Sequence, residues 1–188
     1  LEYLIGADLK MYSDAKAMSL YELRKVVVES CAGLTALHNA GLVHRDVKPA
    51  NIWLRLPLAG GVRFEGEKHR DPAKATPLAA VLIDFGMVRA QKVSAEIGGR
   101  FVAGTPGYIA PEQVLDPVEL DGRADVYAMA GTIYNVMTGR TFFDEIEDKR
   151  ERIVAHMRRD PMEDAARFKD FPPALTKLLR EATAREWK

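Results

Sequence analysis

His44-Arg45-Asp46-Val47-Lys48-Pro49-Ala50-Asn51 is the stretch on which the reading turns. Within it, Asp46 can accept a proton or orient a hydroxyl, and Lys48 is a fixed positive charge close by. Asn51 offers an uncharged oxygen of the kind that hard metal ions accept. A carboxylate, a cation and a carbonyl oxygen spaced over 46–51 suit the transfer of a phosphate carrying Mg²⁺. Taken alone, an Asp-x-Lys pair is equally well a polar loop satisfied by local side-chain bonding.

Working outward, two further blocks share this character. Asp84-Phe85-Gly86 follows Ala79 to Ile83, a short apolar run that reads as a buried strand. A carboxylate at a strand end followed by Gly suits metal binding, and it also suits a simple Asp-initiated turn. Gly104-Thr105-Pro106-Gly107-Tyr108-Ile109-Ala110-Pro111-Glu112 is a third block, stiffened by Gly and Pro.

The elements around these blocks are mostly helical. Ser19 with Glu22 forms a capping-box pattern that opens a helix through Ala40, and Gly41 is suited to ending it. Leu23, Val27, Leu34, Leu37 and His38 fall near one face of that helix. Ile52-Trp53-Leu54 is a short strand, and alternation puts Trp53 on the opposite side from its neighbours. Residues 55–77, rich in Gly, Pro and charge, are expected to form a long surface loop. Residues 85–120 show little periodicity. Val126 to Met137 is apolar almost all round, as in a helix buried on every side. Arg150–Arg159 and Ala174–Ala184 read as amphipathic helices, the second introduced by Pro172-Pro173.

Composition narrows the classes. The chain has 188 residues, 47% of them hydrophobic and 29% charged, as in a globular domain with a real core. Lys and Arg total 27 and so do Asp and Glu, so no bulk attraction to nucleic acid or membrane is expected. The basic cluster Lys149, Arg150, Arg152, Arg158 and Arg159 stands among Glu147, Asp148 and Glu151 and reads as a solvated helix face. A single cysteine, Cys31, excludes an internal disulfide and is expected to be a buried thiol in a reducing, cytoplasmic setting. No apolar run approaches the ~20 residues of a membrane helix. The chain opens on Leu1-Glu2-Tyr3 and closes on Glu186-Trp187-Lys188 inside a helical pattern, and it is read as a fragment.

In this order, the three blocks resemble the catalytic loop, metal-binding triplet and Ala-Pro-Glu segment of protein kinases. Lys48 two residues after Asp46, and Gly-Thr-Pro before Tyr108, resemble the serine/threonine class. Pro111-Glu112-Gln113, Gly122-Arg123-Ala124-Asp125-Val126-Tyr127 and Thr138-Gly139-Arg140 are similar to bacterial kinases of the eukaryotic-like type. The fold so implied is mainly α within an α+β class: the large helical C-terminal lobe of a kinase, with short β-hairpins at the cleft. Residues 1–188 would be a partial kinase domain comprising the linker between lobes and the C-terminal lobe, without the N-terminal lobe and the last helix.

The resemblance also implies roles. Asp46 would accept or orient the substrate hydroxyl, Lys48 would steady the γ-phosphate of ATP, and Asn51 and Asp84 would hold Mg²⁺, with Mn²⁺ as a substitute. Thr105 would bond Asp46 and Lys48 and line the groove for protein substrates. His44 and Phe85 would stack, with Gly86 completing the triplet, and Asp125 would accept backbone N–H groups near His44 and Arg45, besides serving as an N-cap. Leu1 would be the gatekeeper, the backbones of Glu2 and Leu4 would pair with adenine, and Asp8 would reach the ribose. Trp53 would floor the adenine site where the family usually has Leu, or else belong to the core. Arg45 beside Asp46 is the pattern of kinases activated by loop phosphorylation, and Ser94 is the one hydroxyl residue between Gly86 and Gly104. Glu112 would pair with an Arg beyond Lys188.

The departures matter as much. The Gly-rich loop, the strand Lys and its helical Glu partner do not occur within 1–188, so this fragment alone is expected to be inactive. A pseudokinase scaffold is the alternative, with Trp53 obstructing the nucleotide. A small-molecule phosphotransferase is disfavoured, because Lys48, Gly-Thr-Pro and Ala-Pro-Glu build a groove for protein substrates.

Overall fold

The computed structural model describes residues 5–56, 77, 79–85, 93–97, 100–115 and 120–184, the strands at 93–97 and 100–103 by their backbone. Strand β1 (Gly6–Asp8) runs into helix α1 (Leu9–Ala15), which Asp8 caps by accepting from the Met11 N–H at 2.8 Å. Helix α2 (Leu20–Asn39) carries the expected capping box: Ser19 Oγ accepts from Glu22 N at 3.2 Å, and Glu22 accepts from Ser19 N at 2.9 Å. Those Ser19 bonds, with Lys16 and Tyr12 adding to them, hold the Glu22 carboxyl down at about 2. The helix stops where Gly41 turns to φ 72°.

A tight 3-10 turn at Pro49–Asn51 leads into β2 (Ile52–Arg55), which pairs antiparallel with β1 on one side and with β3 (Ala79–Leu82) on the other. Ile52 and Leu54 are fully buried while Trp53 is half-buried on the opposite face. Helix α2 supports β3, with Glu29 accepting from Ala80 N at 2.7 Å. Most of the expected loop at 55–77 lies outside the described residues; its far end is tied to α2 by Lys25, which donates to the Pro77 carbonyl at 3.2 Å.

The stretch read as aperiodic contains regular structure. Strands β4 (Val93–Ile97) and β5 (Arg100–Ala103) form an antiparallel hairpin, and α3 (Pro111–Leu115) follows the Gly/Pro block. Helix α4 (Arg123–Thr138) is the expected buried helix, begun a turn earlier; from Ala124 to Asn135 every residue but Val126 is buried. Helix α5 (Lys149–Arg158) is capped by Asp148, and α6 (Pro173–Ala182) starts on Pro173 at the first helical position, where its missing N–H costs least. Tyr134 of α4 stacks on Phe142 at 4.9 Å and tilts against Phe168 at 5.4 Å. This aromatic layer fastens α4 to the loops beyond it.

Two expectations are corrected. Cys31 is exposed, because it lies on the α2 face turned away from the Leu23, Val26, Ser30 and Leu34 stripe. Asp125 is not an N-cap: Gly122 holds that position, and Asp125 stands three residues inside the helix with its carboxylate turned to another segment.

Candidate active site

The 42–48 segment is irregular, so its backbone needs partners from elsewhere. Asp125, fully buried in the first turn of α4, supplies them. Its Oδ2 accepts from His44 N at 2.9 Å and its Oδ1 from Arg45 N at 2.8 Å. His38, near the end of α2, brings its Nε2 within 2.8 Å of Oδ2. Arg45 has φ 68°, a left-handed conformation that costs a non-glycine residue of order 1–3 kcal/mol and persists only when its surroundings enforce it.

Next along the chain, four side chains converge. Lys48 Nζ donates to Asp46 Oδ2 and to Thr105 Oγ1, each at 2.8 Å. Thr105 Oγ1 in turn donates to Asp46 Oδ1 at 2.6 Å, closing a triangle that joins two segments 57 positions apart. Asn51, 5% exposed, donates through Nδ2 to the Asp46 carbonyl at 2.8 Å and to its Oδ2 at 3.1 Å. Both carboxylate oxygens of Asp46 are therefore fixed in direction, which is what a proton acceptor of defined geometry requires.

The Asp84 block is brought to the same place by the sheet. Ile83 N donates to the Asn51 carbonyl at 2.9 Å, extending the β2–β3 ladder by one step, and His44 Nε2 lies 3.2 Å from the Ile83 carbonyl. The His44 and Phe85 rings meet at 5.4 Å with a tilt of 54°. Asp84 follows with φ 60° and an exposed side chain. Because the Asn51 amide nitrogen is engaged by Asp46, its oxygen is the group left for a cation. By donor chemistry, this amide oxygen and the Asp84 carboxylate fit Mg²⁺, a hard cation that uses few protein ligands and takes the rest from water and phosphate. Among the described residues, no group of three or more His, Cys, Asp and Glu side chains is placed to hold a metal ion.

Asp8 and Trp53 are direct cross-strand partners and so share one face of the sheet, the face opposite the buried Ile52 and Leu54. Glu112 is half-buried, and desolvation raises its carboxyl against the pull of Arg123. Ser94 falls at the register irregularity of β4, a strand that lies beside α5. Leu1, Glu2, Leu4 and Gly86 lie outside the described residues. In the basic cluster, Arg159 pairs with Glu145 at 2.9 Å and Arg152 donates to the Ile146 carbonyl.

Residues 1–187 match the protein kinase domain family. The chain belongs to that family. The kinase chain is 33% identical over 187 residues to serine/threonine-protein kinase Pkn1 of Myxococcus xanthus, covering 99% of this chain and 24% of that protein. It is 29% identical over 189 residues to PknB of Mycobacterium leprae, covering 98% of this chain and 26% of the relative. With PknL of Mycobacterium tuberculosis it shares 35% identity over 156 residues, 81% of this chain and 33% of the relative. The chain thus spans a quarter to a third of the length of these curated relatives. ATP and Mg²⁺ are what this family generally uses.

Sequence reasoning missed two contributors to the kinase site. His38 entered only as one residue on the α2 face; a polar ring four positions after the buried Leu34 was the signal that something polar awaited it. Gln113 entered only as part of a subtype pattern, yet it is 3% exposed and donates to the Arg45 carbonyl directly before Asp46.

Proposed function

We propose that the kinase chain is the linker and C-terminal lobe of an enzyme that transfers the γ-phosphate of ATP to Ser or Thr hydroxyls of protein substrates. The observation that carries this is the Asp46–Lys48–Thr105 triangle set beside Asn51. Asp46 accepts or orients the acceptor hydroxyl proton. Lys48, already bonded to Asp46, presents its ammonium where phosphoryl charge develops. Asn51 and Asp84 would hold Mg²⁺, which supplies charge neutralisation to the triphosphate when bound. Trp53 and Asp8 share the sheet face on which adenine and ribose would lie, and Glu2 and Leu4 would pair with adenine through their backbones. The serine/threonine naming of the relatives supports the acceptor class. A cytoplasmic setting, where ATP is at hand, goes with this reading. Among the described residues no helix is long and apolar enough to cross a membrane.

The test is phosphoryl transfer by the full-length protein with Mg²⁺-ATP and a protein acceptor, followed by phosphoamino-acid analysis. Asp46→Asn should lower kcat by about 10²–10⁴-fold, the usual cost of losing a positioned base. A wild-type protein that folds, binds partners and transfers no phosphate would instead support the scaffold reading, for which the indole of Trp53 is the motive.

A further inference from the structure

Arg45 is the strained residue directly before Asp46, and both of its backbone polar groups are held by buried side chains from other elements. Its N–H goes to Asp125 of α4. Its carbonyl accepts from Gln113 Nε2 of α3 at 2.9 Å. The other end of the same amide is also used: Gln113 Oε1 accepts from Ala110 N at 3.0 Å. Gln113 therefore bridges the catalytic loop and the 104–110 segment that carries Thr105. Space around the amide is tight. Gly104 has φ 132°, and a Cβ there would lie 3.3 Å from Gln113 Nε2.

We propose that Gln113 is a positioning residue for phosphoryl transfer. Its amide clamps the Arg45 peptide opposite Asp125 and ties that clamp to the substrate-facing segment, so that Asp46 and Thr105 keep their mutual geometry. A shorter, apolar or anionic side chain at 113 breaks the bridge at one end or both. A carboxylate would still accept from Ala110 N but would face the Arg45 carbonyl with no proton to give. A protonated carboxylic acid would restore both bonds, since one oxygen accepts and the other donates. Burial favours that neutral form and brings its titration toward neutral pH.

This inference rests on the kinase reading, and the experiment separates the two. Full-length wild type, Gln113→Glu, Gln113→Met and Asp46→Asn are assayed with Mg²⁺-ATP and a peptide acceptor between pH 6 and 8. Folding of each is checked by circular dichroism. At pH 8, Gln113→Glu should lose about 10- to 100-fold in kcat, the range expected for one unmade buried hydrogen bond near a charge. KM for the peptide should rise and KM for ATP should stay within about 2-fold. Its activity relative to wild type should recover as the pH falls to 6, whereas Gln113→Met should show a similar loss with no recovery. A general loss of folded protein would give neither the KM split nor the pH recovery. Wild-type kcat and peptide KM in folded Gln113→Met overturn the proposal even if the Glu variant does not fold. So does a Gln113→Glu deficit that is flat with pH. A silent wild type overturns the kinase reading instead.

Discussion

Thr105 carries no charge, yet it sits between the two charged groups of the site, accepting from Lys48 and donating to Asp46. One hydroxyl thereby sets the orientation of both, and it does so from a segment far along the chain. Ser keeps the hydroxyl and Val keeps the shape without it, which makes the pair a clean comparison. In the full-length protein, Thr105→Val should reduce kcat/KM for a peptide acceptor by about 10- to 100-fold, because two hydrogen bonds to charged groups are lost together. Thr105→Ser should stay within about 3-fold of wild type, the extra rotamer freedom being its main penalty. Steady-state kinetics on both variants checks this, and equal losses would show that the methyl group rather than the hydroxyl matters. The same dependence on distant partners explains Asp125, whose carboxylate is fully buried and accepts from two consecutive backbone N–H groups. Both partnerships are ones the kinase resemblance implied, whereas the residue types alone, a threonine in a Gly/Pro block and an aspartate at a helix start, do not name their distant partners.

Helix α5 shows how an element's burial sets a pH response. Its His156 is fully buried, lies 2.7 Å from the Tyr127 hydroxyl and meets Phe143 edge-on at 4.9 Å. Burial, with Arg152 adding to it, pushes the imidazole down to about 3, against the opposing pull of a Pro106 backbone group. The folded protein thus keeps His156 neutral where the unfolded chain, near the ordinary 6.5, takes up a proton. Stability is unaffected by this group above about pH 6.5 and declines as the pH falls from there toward 3. Between pH 7 and pH 5 the loss should be about 2 kcal/mol. Glu22 acts in a lower window, contributing above about 4.5 and losing its contribution as the pH falls toward 2. Urea denaturation at pH 7 and pH 5 should therefore show a drop in wild type that is largely absent in His156→Gln, which keeps a partner for Tyr127. Elements of this kind were legible where local signals were strong. The capping box fixed the start of α2, and the nearly all-apolar run marked α4. The β4–β5 hairpin, α1 and α3 were not legible, because each is too short for periodicity to rise above composition and each is held by tertiary pairing. The three chemical blocks could be read in order from their residues, and the kinase resemblance implied the Thr105 bonds that join two of them, but the further ties through Gln113 and Ile83 depend on the fold.

At the scale of the whole molecule, the proposed site includes exposed groups among the described residues. Phe85 is 49% exposed and Asp84 is exposed beside it, while Trp53 is half-buried on the sheet face turned away from the core. Phosphoryl transfer depends on positioning the triphosphate and excluding water more than on any covalent step by the protein. On the proposed reading of 1–188 as the linker and C-terminal lobe, the acceptor-side apparatus lies here, and the Gly-rich loop, strand Lys and helical Glu that cover and align the phosphates would belong to another lobe. The polypeptide 1–188 by itself should consequently bind nucleotide weakly. Its transfer rate should lie at least about 10³-fold below that of the full-length protein, since lost orientation alone can cost that much. Expressing both forms and comparing them by isothermal titration with Mg²⁺-ATP and by transfer of radiolabelled phosphate tests this directly. Transfer by 1–188 at a rate near that of the full-length protein would mean that these residues position ATP unaided. In that case the exposed Phe85 and Trp53 would have to be part of a complete nucleotide site rather than surfaces awaiting a second lobe.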